Sequence, residues 1–448
     1  MPRLFGTDGV RGLAGRDITA ELALHLASAA ARVLAAGVEG RRGHAIIGAD
    51  SRISGGYLAA AVGAGLAEAG MDVLDAGMLP TPGLAYLAAS GDVDLAVMLS
   101  ASHNPMEDNG IKFFARGGNK VPDRVEDEIE ALLNSPWERP TGAEVGRITQ
   151  DPGAVSRYVD HVVRAAPKRL DGLSVVLDCA NGAASEVGPA VFSQLGARVF
   201  ATGCEPDGLN INAGVGSTHP EALSAAVVAH GADAGFAFDG DADRCLAVDA
   251  DGELVSGDHI LAILALALRE RGALAHDTVV ATIMSNLGFH HAMTREGISV
   301  VTTCVGDRYV LEEMLAQGHS LGGEQSGHVI ISEHSTTGDG LLTAVQLASR
   351  MTSTRRTMAD LASVMEVLPQ TLVNVGDVDK RRTQEDAEVQ AAVSAAKELL
   401  GDSGRVLLRP SGTEPLVRVM VEATTQVQAD EVAGELARVV RERLGLSA

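Results

Sequence analysis

Short apolar runs alternate with longer Ala-rich stretches of mixed polarity over most of the chain. That alternation predicts α/β units built on parallel sheets. In the first third, strands are expected at His44–Asp50, Met71–Met78 and Leu95–Ser102, with Gly110–Ala115 as a hairpin or edge piece. A second set reads Ser174–Asn181, Ala197–Gly203 and Ala234–Asp239, and a third reads Thr278–Asn286, Ile298–Val305 and Ser320–Gly323. Beyond Leu368-Pro369-Gln370 the pattern changes. Strand Thr371–Val375, helix Gln384–Leu400, strands Val406–Leu408 and Val417–Glu422 and helix Val427–Leu444 predict a smaller α+β domain. Turn-rich stretches at Asn134-Ser135-Pro136 to Pro152-Gly153 and at Ala250-Asp251-Gly252 mark the other boundaries. The expected domains are 1–150, 151–252, 253–368 and 369–448.

A chain of 448 residues is too long for one core, in keeping with that division. With 36 Lys and Arg against 59 Asp and Glu, the formal charge is −23. A basic footprint for nucleic acid or anionic membrane is therefore not expected. An anionic ligand would need a locally basic pocket. The longest apolar run, Ile260–Leu268, is too short to span a bilayer, and no apolar signal region follows Met1-Pro2-Arg3, so a cytoplasmic protein is expected. Cys179, Cys204, Cys245 and Cys304 form no C-x-x-C pair, which disfavours zinc ribbons and disulfide scaffolds.

Chemistry is expected in the loops that follow strands, where open α/β sheets place ligands. Ser100-Ala101-Ser102-His103-Asn104-Pro105 puts serines at a strand end, as nucleophile or phosphate carrier, beside a histidine and one of only five lysines, Lys112. In Asp239-Gly240-Asp241-Ala242-Asp243-Arg244, three carboxylates crowd one tight loop after the strand Phe236-Ala237-Phe238. They repel one another unless a hard cation such as Mg²⁺ neutralises them. An EF-hand is excluded, since its sixth and twelfth positions would be Arg244 and Ala250. Gly323-Glu324-Gln325-Ser326-Gly327-His328 offers groups that hydrogen-bond sugar hydroxyls. Arg409-Pro410-Ser411-Gly412-Thr413-Glu414-Pro415, with Arg418, has the makings of a phosphate cradle. A fifth polar glycine loop is Phe5-Gly6-Thr7-Asp8-Gly9-Val10-Arg11-Gly12. P-loop, zincin and dinucleotide fingerprints are all missing.

This ordered set of four loops resembles the signatures of the α-D-phosphohexomutase superfamily, and the likeness covers essentially the whole chain. It implies three similar α/β domains with mixed sheets plus a smaller C-terminal α+β domain, around a central active-site cleft. On Phe5–Gly12, Asp108–Phe114, Gly306–Val310 and Gln325, the likeness is greatest to members acting on amino-sugar phosphates. The implied reaction interconverts glucosamine 6-phosphate and glucosamine 1-phosphate, upstream of UDP-N-acetylglucosamine and cell-wall synthesis. By the same resemblance Ser102 is a phosphoserine and, with Asp239, Asp241 and Asp243, binds one Mg²⁺ per subunit. Glucosamine 1,6-bisphosphate is implied as intermediate and activator. Arg11 and Arg244 balance charge, and Lys112, His103 and His328 are the candidates for proton transfer, with Lys112 favoured. Glu324 and Ser326 grip sugar hydroxyls, while Arg409, Ser411, Gly412, Thr413 and Arg418 hold the distal phosphate. A homodimer is left open. One departure is Ala49 in Gly48-Ala49-Asp50-Ser51-Arg52, where relatives usually carry a basic residue. The rival readings are the same chemistry on glucose or mannose phosphates, a Mg²⁺-dependent phosphatase using Asp239, and a non-catalytic sugar-phosphate sensor.

Overall fold

The computed structural model describes residues 3–34, 41–133, 135–411 and 416–446. It carries four sheets, of six, five, four and three strands in chain order. In the first, strand Leu95–Leu99 pairs in parallel with His44–Ala49, which pairs with Asp72–Met78 and that with Ile148–Gln150. On its other side Leu95–Leu99 runs antiparallel to Asp108–Ala115, which is covered in turn by Val10–Leu13. Gly110–Ala115 is therefore a hairpin strand, as one of the two expectations had it, but an interior one. The N-terminal strand that covers it is too short to show in the hydrophobic pattern. Leu95–Leu99 is wholly buried, which is why it reads as an unbroken apolar run.

The second sheet repeats the plan, with Arg198–Thr202, Ser174–Asp178 and Ala234–Phe238 parallel and Cys245–Asp249 and Leu254–Val255 antiparallel. Ala250-Asp251-Gly252 is the turn of its terminal hairpin, so the chain does not leave this sheet there. The stretch from 134 to 153 likewise contains a strand of the first sheet. In the third sheet Ser299–Thr303, Thr278–Thr282 and Leu321–Gly323 are parallel and Val329–Ile331 is antiparallel. The fourth is an antiparallel meander of Gln370–Gly376, Leu416–Glu422 and Arg405–Pro410. It is packed by helices Ala387–Leu400 and Gln426–Leu444.

The consequence for function is topological. In each of the first three sheets a parallel strand turns through a short loop into an antiparallel neighbour, and those loops are 100–107, 239–244 and 324–328. The fourth candidate loop also joins two adjacent antiparallel strands. By contacts the chain divides into two compact units, Met1–Met284 with Ile298–Val364, and Ser285–Gly297 with Met365–Ala448. Helix Leu287–Arg295 falls in the second, where its N-cap Asn286 bonds both backbone groups of Leu368 at 3.0 Å. Among the described residues no helix is long and apolar enough to cross a membrane.

Candidate active site

In the first unit, three of the candidate loops and the N-terminal loop converge on one buried cluster. Ser102 has φ +53°, a left-handed conformation that costs a non-glycine residue roughly 1 kcal/mol. The chain turns out of its strand there, and the buried Oγ donates to Asp239 Oδ2 at 2.5 Å. Asp239 follows strand Ala234–Phe238, and Ala242, also left-handed, bends the loop so that Asp239, Asp241 and Asp243 face inward together. Their ligand oxygens all lie within 4.8 Å of one another. Gly240 leaves room for the Ser102 carbonyl, which a Cβ there would meet at 2.6 Å.

Cations surround the acids. Lys112 Nζ donates to Asp241 Oδ2 at 2.8 Å and stands 2.9 Å from Asp8 Oδ2. Burial opposes its charge, but Asp241 and Asp8 outweigh it and hold the pKa above the ordinary lysine value. Arg11 pairs with Asp8, and Lys120 reaches Asp8 Oδ1 at 2.5 Å and also pairs with Asp307. Asp8 is thus held well below the usual carboxylate range against its burial, by Lys112, Lys120 and Arg11. Asp239 moves the other way, because burial and the like charges of Asp243 and Asp241 push it up. For Asp243 burial works in the same sense, but His328, Lys112 and Arg244 hold it low.

The two histidines differ. His103 is pushed down to about 4 by burial and by Arg244 and Arg11, so it is neutral at pH 7. Arg244 donates to its Nδ1 at 3.0 Å, which leaves Nε2 as the N–H. His328 is buried, with Nδ1 3.6 Å from Asp243 and Nε2 accepting from Gly338 N–H at 3.0 Å. Burial opposes its protonation, yet Asp243 raises its pKa. The loop 324–328 meets the acidic loop directly, since Cys245 N–H donates to the Gly327 carbonyl at 3.0 Å. Glu324 Oε1 accepts from Gly306 N–H at 3.1 Å.

The cluster is unsatisfied in two senses. Among the described residues, buried Asp241 Oδ1 and Asp243 Oδ1 accept no hydrogen bond and buried Arg11 Nε, Arg244 Nε and Ser326 Oγ make none, although Arg244 Nε stands 4.0 Å from Asp243 Oδ1. Buried polar atoms are normally paired. Orphaned acceptors fit a small hard cation, and orphaned donors fit an oxyanion with hydroxyls.

In the second unit, Arg409 and Arg418 are paired across the register of adjacent strands and so share one sheet face. Among the described residues buried Arg418 Nε has no hydrogen-bond partner, and Ser411, at the end of Arg405–Pro410, is buried. Gly412 and Thr413 lie outside the described residues. Sequence reasoning gave no role to Asp8, Lys120 or Thr81, whose Oγ1 donates to Asp241 Oδ2 at 2.5 Å. The scarcity of lysine was a signal for Lys120.

Fold and site together define a hexose-phosphate mutase, and four family models match in order. They are phosphoglucomutase/phosphomannomutase alpha/beta/alpha domain I at residues 2–139, domain II at 156–252, domain III at 256–368 and the C-terminal domain at 372–439. The chain belongs to this family, the α-D-phosphohexomutases, and is an isomerase. More narrowly, it is 63% identical to a phosphoglucosamine mutase of Acidothermus cellulolyticus, over 99% of this chain and 97% of that one. It is 62% identical to the phosphoglucosamine mutase of Streptomyces avermitilis, over 99% and 100%. Among solved structures, a phosphoglucomutase/phosphomannomutase family protein from Burkholderia thailandensis superposes with a TM-score of 0.83 at 25% identity, covering 98% and 97%. N-acetylphosphoglucosamine mutase of Aspergillus fumigatus, solved with GlcNAc-6P and magnesium, shares the fold at a TM-score of 0.71 and 16% identity, covering 98% and 96%.

Proposed function

We propose that the chain interconverts glucosamine 6-phosphate and glucosamine 1-phosphate, with Ser102 as the phosphoryl carrier and glucosamine 1,6-bisphosphate as the intermediate. The observation that carries this reading is the seat of Ser102, a buried hydroxyl held on Asp239 at the edge of three carboxylates, two of which, Asp241 and Asp243, keep an oxygen without a hydrogen bond among the described residues. The amino sugar is supported by the names of the full-length relatives, 57–63% identical.

Asp239, Asp241, Asp243 and the phosphorylated Ser102 would hold one Mg²⁺, which when bound draws electron density from the transferring group. Arg11, Lys112 and Arg244 balance the remaining negative charge. In the first half-reaction the sugar 1-hydroxyl attacks phosphorus and the Oγ–P bond breaks, while Lys112 gives a proton to the departing Oγ and takes up the one that the sugar hydroxyl releases. The bisphosphate turns, its 6-phosphoryl group returns to Ser102, and glucosamine 1-phosphate leaves. Lys112, held as an ammonium, enters as charge balance and as the proton donor to the departing oxygen. Glu324 and Ser326 grip the sugar in both poses, and Arg409, Ser411, Gly412, Thr413 and Arg418 take the phosphate that is not reacting. On this reading segments 1–150, 151–252, 253–368 and 369–448 each contribute one loop.

The phosphatase alternative requires Asp239 as nucleophile, but its carboxyl is occupied by Ser102 and its pKa is raised by burial and by its acidic neighbours. The test is a coupled assay for the 1-phosphate with Mg²⁺ and bisphosphate present, run on glucosamine, glucose and mannose 6-phosphates. The largest kcat/KM is expected for glucosamine. An equal or larger value for either other sugar overturns the substrate, and phosphate release without isomerisation overturns the mutase.

A further inference from the structure

We infer that Arg52 is the positioning residue of the phosphoryl-carrying loop, acting as the template around which residues 102–108 are wound. The inference rests on the mutase reading of Ser102 and extends it to a residue outside the four loops. The Arg52 side chain is fully buried, with no accessible surface. Its Nε donates to Asp50 Oδ2 at 2.9 Å. One terminal nitrogen donates to the carbonyls of Pro105 and, at 3.0 Å, Asp108. The other donates to the carbonyls of Ser102 at 2.9 Å and Asn104 at 2.8 Å. A guanidinium has five N–H donors, so all are used, four of them on main-chain carbonyls of one loop.

The same pair fixes Ser102 from the other side. Its N–H donates to Ser100 Oγ at 2.8 Å, and that hydroxyl donates to Asp50 Oδ2 at 2.6 Å. Asn212, from the second sheet's domain, adds a donor at 2.9 Å to the Ser102 carbonyl and at 3.1 Å to that of Asn104. Both backbone groups of Ser102 are therefore captured. A strained left-handed residue persists when its surroundings over-determine it, and here the strain points Oγ at Asp239. An ammonium cannot replace the guanidinium, because it brings three donors to five acceptors. Ala49, three residues earlier, makes none of these contacts, and its carbonyl instead accepts from Leu79 N–H at 3.0 Å.

The test compares wild type with Arg52→Lys in the Mg²⁺-loaded, bisphosphate-activated enzyme, following kcat, KM and the thermal midpoint. A misplacement of about 1 Å at a reacting group costs on the order of 100-fold in rate. Arg52→Lys is expected to lose kcat on that scale, with KM for the sugar phosphate within about 3-fold of wild type because the groups that grip it are untouched. A kcat within 3-fold of wild type overturns the inference, as does a loss matched by the fraction of protein unfolded. If Arg52→Lys does not fold, Asn212→Ala, which removes the amide that donates to two of the same carbonyls, those of Ser102 and Asn104, decides. It is expected to lower kcat with KM unchanged, and an unchanged kcat overturns the template. Wild-type enzyme inactive on all three sugar phosphates would instead refute the mutase reading, which separates the two failures.

Discussion

The Ser102 loop and the opposed pair Arg409 and Arg418 both belong to neighbouring antiparallel strands and their ends, yet they are built on opposite electrostatic plans. Around Ser102, Asp8, Asp239, Asp241, Asp243 and Asp307 are interleaved with Arg11, Lys112, Lys120 and Arg244 inside the protein. At the hairpin two arginines are opposed on one face, and among the described residues neither has a carboxylate partner. Like charges directly opposed destabilise a sheet. The first region is a preorganised charge lattice in which every group has a set place before substrate arrives. The second is a cationic face whose repulsion an anion would relieve. Damage to the lattice should therefore appear in kcat, and damage to the face in KM.

The largest effect is expected at the carrier itself. Ser102→Ala should remove turnover by roughly a thousandfold or more, since no second nucleophile is seated on Asp239. Near-normal turnover would break the phosphoserine mechanism and with it the contrast. Removal of the metal with EDTA should act as severely. Asp241→Asn should cost about 10–100-fold, partly recovered at high Mg²⁺, because it weakens a ligand and also loosens Lys112. Full activity in EDTA would mean that the unpaired carboxylate oxygens serve no cation.

A smaller effect with a different signature is expected at the hairpin. Arg418→Ala should raise KM about 10-fold or more, the worth of one charge-assisted contact to a phosphate, and change kcat little. Because it also removes the repulsion with Arg409, the thermal midpoint should hold or rise. A drop in kcat at constant KM would show that the arginine serves the reacting phosphoryl group and not the distal one.

Those two plans were unequally legible in the sequence. The strands were readable wherever burial on both faces wrote an apolar run, as at Leu95–Leu99 and Ala234–Phe238. Val10–Leu13, Ile148–Gln150 and Val329–Ile331 were not, because three or four residues carry too little periodicity, and the partners of the first two also lie far along the chain. The loops were readable for a local reason: serine, carboxylates or arginines sit together within a few residues of a strand end. What could not be read is what joins loop to loop. Asp8 with Lys120, Thr81 with Asp241 and Arg52 with the Ser102 carbonyl pair residues separated by 112, 160 and 50 positions. Nothing in either local motif announces its partner.

The smallest predicted effect asks whether the lattice, besides organising charge, costs stability. Asp339 is buried, accepts from Tyr158 Oη and from Leu342 N–H at 2.9 Å, and caps the helix Gly340–Thr354. The next N–H, of Gly340, donates to the Ala242 carbonyl at 3.0 Å, so the cap supports the acidic loop. Burial pushes the Asp339 carboxyl up to about 6 despite those hydrogen bonds. An unfolded aspartate titrates near ~3.9, so between about 4 and 6 the folded state binds the proton more readily. Stability contributed by this group is thus present at low pH and is lost as pH rises to about 6, with the full cost above it. Asp339→Asn keeps the capping oxygen, since Asn and Asp cap about equally well, and removes the charge. Its thermal midpoint relative to wild type should therefore rise from pH 4.5 to pH 7 and then level off. A difference that does not vary with pH would mean that the buried carboxylate is fully compensated by Tyr158 and the helix terminus, and that the lattice is organised without a cost at this position.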